Sequence, residues 1–184
     1  NENWTEFTPS RQVTHWMQDK RKQASDSSIF YEKYIVNRMN EIHSKEELSF
    51  LLGYYSHLIT DAELQCAIRD ENRVAAAWER AKKIPELRAK AEGLNETWDS
   101  FKILFPNRNE RMKDFYVIER EYLDGHPDSG YITEICGLEE FPDYIDYLPH
   151  GCIVRKIQIM GQIPEVDGDG VNLMAFISVG FAIW

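Results

Sequence analysis

Residues 45–68, "KEELSFLLGYYSHLITDAELQCAI", constrain the fold more than any other stretch of this chain. At about 100° per residue, Leu48, Leu51, Leu52, Tyr55, Ile59, Ala62 and Cys66 gather on one side of a helix. Phe50, Gly53, His57, Asp61, Leu64 and Ile68 gather on the opposite side, and only Ser49, Ser56, Thr60 and Glu63 form a polar strip. A helix that is apolar on two faces needs neighbours on both, so the pattern predicts an all-α, multi-helix bundle with this helix buried at its centre. Ser44 and Glu47 supply an S-x-x-E capping box ahead of Lys45, which fixes where the helix starts.

The remaining punctuation suits helices of moderate length. "FTPSRQVTHWMQ" opens with Thr8 as N-cap and Pro9 at the first helical position, and Val13, Trp16 and Met17 make its apolar stripe. His15 stands off that stripe. In "SDSSIFYEKYIVNRMNEIH", Asp26 to Ser28 offer caps and Tyr31, Ile35, Met39 and Ile42 recur at helical spacing. "NRVAAAWERAKKI" stops at Pro85, "NETWDSFKILF" is bounded by Pro106, and "NERMKDFYVIEREYL" ends at Gly125. "CIVRKIQIM" is rich in β-branched residues, yet Ile153, Ile157 and Met160 suit a helix and no partner strand with hairpin chemistry accompanies it. "PEVDGDG" reads as a turn, and "VNLMAFISVGFAIW" as a core helix, interrupted by Asn172 and shorter than the roughly 20 residues a bilayer span needs. No transmembrane segment is expected.

Composition bounds the function. A chain of 184 residues that is 43% hydrophobic can build one domain with a substantial core. With 21 Lys plus Arg against 31 Asp plus Glu, the formal charge of −10 argues against general binding to a phosphate backbone. Cys66, Cys136 and Cys152 show no CxxC spacing, so they are expected as ordinary buried thiols, and their odd number leans towards a reducing compartment. The start at Asn1 raises the expectation of a processed or trimmed chain lacking an upstream segment.

His57 and Asp61, one turn apart, are expected to point inward together, with Gly53 one turn earlier allowing a neighbouring helix to approach. An unpartnered buried carboxylate costs several kcal/mol, so something must compensate it. Three arrangements do so: a hydrogen-bonded His–Asp pair, with or without an arginine from another helix, a shared cation held by imidazole nitrogen and carboxylate oxygen, or a metal-free acid/base pair.

Two stretches, "FTPSRQVTHW" and "FLLGYYSHLITD", together resemble the zinc-dependent phospholipase C family, over roughly the first 70 residues. The resemblance implies an all-helical bundle around zinc, with His15, His57 and Asp61 as ligands of one ion. A fourth ligand, an aspartate, would lie upstream of Asn1. The larger secreted members carry a further histidine where this chain has Ala67, and they use additional ligands for a multinuclear cluster, so the expectation here is a mononuclear or reduced site. The implied activity is hydrolysis of a phospholipid or a smaller phosphodiester, with Asp61 also orienting the attacking water. A zinc-holding or partner-binding helical domain without turnover is the alternative. Related single-strand nucleases share the bundle and the chemistry, but the acidic charge and the lack of a basic aromatic stripe argue against that use. His126 and His150 are expected as loop histidines and His43 as an exposed one.

Overall fold

The computed structural model describes residues 9–17, 25–106 and 108–160. Every regular element among them is helical: α1 (Arg11–Thr14), α2 (Ser27–Tyr31, running on into a π-helical turn Glu32–Val36), α3 (Lys45–Ala67), α4 (Glu71–Ala81), α5 (Pro85–Ala91), α6 (Trp98–Leu104), α7 (Arg108–Gly125), a second π turn (Tyr131–Ile135) and α8 (Cys152–Met160). The all-α expectation is met. "CIVRKIQIM" is α8, and "PEVDGDG", "VNLMAFISVGFAIW" and Thr8 lie outside the described residues. Among the described residues no helix is long and apolar enough to cross a membrane.

Local side chains account for several helix starts. Ser44 Oγ accepts from the Glu47 amide at 3.0 Å, which starts α3 at Lys45, while the Glu47 carboxylate meets the Arg38 guanidinium at 2.7 Å. Asp70 caps α4 by accepting from the Arg73 amide, and Thr97 caps α6 by accepting from the Ser100 amide. Pro85 ends one helical run and opens α5 at its first turn, where its missing N–H removes no hydrogen bond.

The described residues group into two compact units. One lies within Asn1–Cys66 and Glu139–Lys156, the other within Ala67–Leu138 and Ile157–Trp184. The second unit has Trp78 at its centre, stacked on Phe101 at 4.6 Å and packed with Val74, Ala77, Ala81, Leu87 and Leu104. The Trp78 indole N–H donates to the Thr97 carbonyl at 3.2 Å, so burial leaves its one polar atom satisfied. The first unit is built on Phe30, Tyr34, Ile35, Leu51, Leu58 and Ile145, with Trp16, Tyr54 and Tyr147 around them.

Four packing expectations need correction. α3 does not form a buried centre: Leu51 and Leu58 are its buried residues, and Leu52 and Ile59 are exposed. A Cβ at Gly53 would meet nothing within 4 Å among the described residues, so this glycine serves no close helix contact. Along α2 the buried residues are Phe30, Tyr34 and Ile35, while Tyr31 and Met39 are exposed. The helical run ends at Val36, so Met39 falls in a turn and not on a continued helical stripe, and the wider i→i+5 ring of the π turn shifts the phase within Glu32–Val36. Finally, Cys66 and Cys136 are exposed and Cys152 half-buried, all as free thiols, instead of packed in a core.

Candidate metal centre

α1 is a single turn rather than the longer helix its sequence suggests. It begins after Ser10 and ends at His15, because Trp16 takes φ 52°, a left-handed backbone conformation unfavourable for an aromatic residue. Aromatic packing holds it there. The Trp16 ring meets Phe30, Tyr34 and Tyr147 edge to face with centroids 5.6–6.3 Å apart, and its N–H donates to the Tyr147 hydroxyl at 3.2 Å. Of the expected stripe Val13, Trp16 and Met17, only Met17 is buried and Val13 is exposed.

A chain of hydroxyls then ties this turn to α3. Tyr147 donates to the Tyr54 hydroxyl at 3.1 Å, and Tyr54 donates to the Thr14 carbonyl at 2.6 Å. Each oxygen in the series has a partner, so the aromatic core carries these polar groups without an unsatisfied donor. Burial and the neighbouring hydroxyl push the Tyr54 phenol well above its ordinary range, which keeps it a neutral donor. Since Tyr54 precedes His57 by one helical turn, the bond to Thr14 brings the residue after it, His15, up to His57.

The two imidazoles meet through their Nε2 atoms, 3.3 Å apart, with ring centroids at 5.2 Å and planes inclined by 71°. Two nitrogens each about 2.0–2.1 Å from one tetrahedral zinc stand roughly 3.3–3.4 Å apart, so this spacing fits a shared ion. His15 is part-buried. Its pKa is lowered from the ordinary 6.5 to about 4, first by burial and then by the Arg11 charge and His57, with Asp61 and a hydrogen bond to the Arg11 backbone pulling the other way. The ring is therefore neutral at physiological pH, the form a metal requires.

His57 departs from the expected inward position: it is exposed, and among the described residues nothing lies within 4 Å of where a Cβ at Gly53, one turn earlier, would stand. Asp61 is the more buried member of the pair, its side chain 13% accessible, and Arg11 compensates it by donating from Nη2 to Oδ1 at 2.6 Å. The arginine from another helix is thus present. Among the described residues no three His, Cys, Asp or Glu side chains come together closely enough to hold a metal ion. The arrangement brings His15 and His57 together, places Asp61 near enough for its charge to act on His15, and commits that carboxylate to Arg11. The Nε2 spacing is compatible with two ligands of one cation, while the Asp61 carboxylate is held by Arg11.

Arg11 is the partner of Asp61 that sequence patterning does not name. Its spacing from His15 was visible, but its ion pair with a residue fifty positions away depends on tertiary packing. The other histidines lie elsewhere. His126 stacks on Tyr122 at 4.3 Å and bonds the Tyr122 carbonyl through Nδ1, and His150 pairs with Asp143, whose carboxylate also accepts from the Gly151 amide. His43 is exposed. No family model, curated protein or solved structure matches this chain.

Proposed function

We propose that this chain is a metal-dependent phosphodiester hydrolase, phospholipase C-like, whose cation is held by His15, His57 and Asp61. The observation that carries the reading is the 3.3 Å approach of the two Nε2 atoms, which joins separated sequence motifs at a ligand spacing. When bound there, zinc supplies Lewis acidity towards water and a phosphoryl oxygen. The chain's own residues do the rest. His15, neutral because it is part-buried beside Arg11, offers an uncharged nitrogen, and exposed His57 leaves the site open to substrate. Asp61 joins the donors or orients the attacking water. Arg11, once released, places a guanidinium suited to bidentate contact with a phosphodiester.

A pocket of about 290 Å³ adds support for a substrate with an apolar part. Val13, Trp16, Met17 and Ile29 line it together with Gln12 and Lys33, and Trp16 directly follows His15 in the chain. Lipid hydrocarbon suits such walls, and the Lys33 ammonium suits an anionic group beside it.

The ion pair between Arg11 and Asp61 favours a second reading, a helical metal-binding or partner-binding domain without turnover. Hydrolysis of a chromogenic phosphodiester separates the two. The hydrolase reading expects turnover in zinc-loaded protein that disappears on chelation, returns with zinc, and is lost by at least about 100-fold in His57→Ala, as removing a metal-bound catalytic group should do. Zinc bound without turnover on mono- and diester substrates establishes the second reading instead.

A further inference from the structure

We infer that Thr14 is a positioning residue for His15, holding its imidazole as the Nδ1–H tautomer so that the Nε2 lone pair is the one turned towards His57. Two hydrogen bonds carry this assignment. The Thr14 hydroxyl lies 3.3 Å from the Arg11 carbonyl, which can only accept, so the hydroxyl proton goes there. The Thr14 oxygen is then left as an acceptor 2.9 Å from His15 Nδ1, and that nitrogen must carry the proton it receives.

Protons can then be placed across the pair. With His15 Nε2 unprotonated, the 3.3 Å contact is closed in the metal-free protein by His57 Nε2–H donating to it. Between the two imidazoles, cation binding asks of His57 a tautomer exchange that moves its proton to Nδ1, beside the release of Asp61 from Arg11. His15 arrives already prepared, as a ligand imidazole whose other nitrogen is engaged by a neighbour. The consequence for cation affinity rests on the hydrolase reading, whereas the tautomer of His15 does not.

Two-bond ¹H–¹⁵N correlation spectra of metal-free protein labelled with ¹⁵N-histidine, at neutral pH, read both tautomers directly, with His15→Gln assigning the signals. The expected wild-type spectrum has His15 protonated at Nδ1 and His57 at Nε2. Thr14→Ser preserves it, while Thr14→Val moves His15 towards the Nε2–H form and weakens zinc binding about 10-fold or more, the usual loss for a group orienting a ligand. A His15 protonated at Nε2 in the wild type, or unchanged in Thr14→Val, overturns the inference. The expected tautomers in a protein that binds no zinc uphold the role of Thr14 and remove the hydrolase reading.

Discussion

At the scale of single residues, the site is a contest between charges for Asp61. Arg11 holds the carboxylate with a side chain that is itself half-exposed, and such pairs are worth about 1 kcal/mol at most. Removing the guanidinium frees a carboxylate for the cation and also withdraws a positive charge from beside it. Arg11→Ala should therefore bind zinc more tightly, by about five-fold, while losing phosphodiester turnover; calorimetric titration alongside the activity assay checks both directions. A ligand would show the opposite sign in affinity. His15 gives a pH dependence with a definite direction as well. Its folded pKa, about 4, lies below the unfolded value of 6.5, so between those values the unfolded chain binds the extra proton. The stability contributed by the neutral ring is fully present above about pH 6.5 and is lost as pH falls towards 4. Urea unfolding across this window should show the wild type losing stability on acidification more steeply than His15→Gln.

At the scale of elements, a Cβ at Gly53 of α3 meets nothing among the described residues, so the glycine contributes backbone entropy to the unfolded chain and no packing to them. Gly53→Ala should stabilise the protein by about 0.5–1 kcal/mol in chemical denaturation and leave zinc affinity unchanged. What was legible in the sequence divides along the same line between local and tertiary causes. Ser44, Asp70, Thr97 and Pro85 act within a few residues of themselves, and the helices start or stop where those residues stand. The stripe of Tyr31, Ile35, Met39 and Ile42 assumes a helix that continues through Ile42, whereas the helical run passes into a π turn and ends at Val36. The shortness of α1 was illegible for a different reason. The left-handed Trp16 is packed against the rings of Phe30, Tyr34 and Tyr147, tertiary contacts that leave no local sequence signal.

At the scale of the whole molecule, the chain is all-α across its described residues, and its two compact units each have a separate aromatic centre, Trp78 with Phe101 in one and Phe30 with Tyr34 in the other. The candidate centre belongs wholly to the first, where the series Trp16, Tyr147, Tyr54 and Thr14 couples the aromatic core to the histidines. His15 and His57 were visible in sequence through their helical positions and the phospholipase C resemblance. The exposure of His57 and the claim of Arg11 on Asp61 were not, since both follow from which neighbours α3 has and which it lacks. The central claim, that His15 and His57 share one divalent cation, is tested most directly by anomalous diffraction at the zinc edge from crystals grown with one equivalent of zinc. The account predicts a single strong peak within bonding distance of both Nε2 atoms, with Asp61 turned from Arg11 towards it. Imidazoles still facing each other at hydrogen-bonding distance, with Arg11 on Asp61 and no anomalous density between the rings, would contradict it.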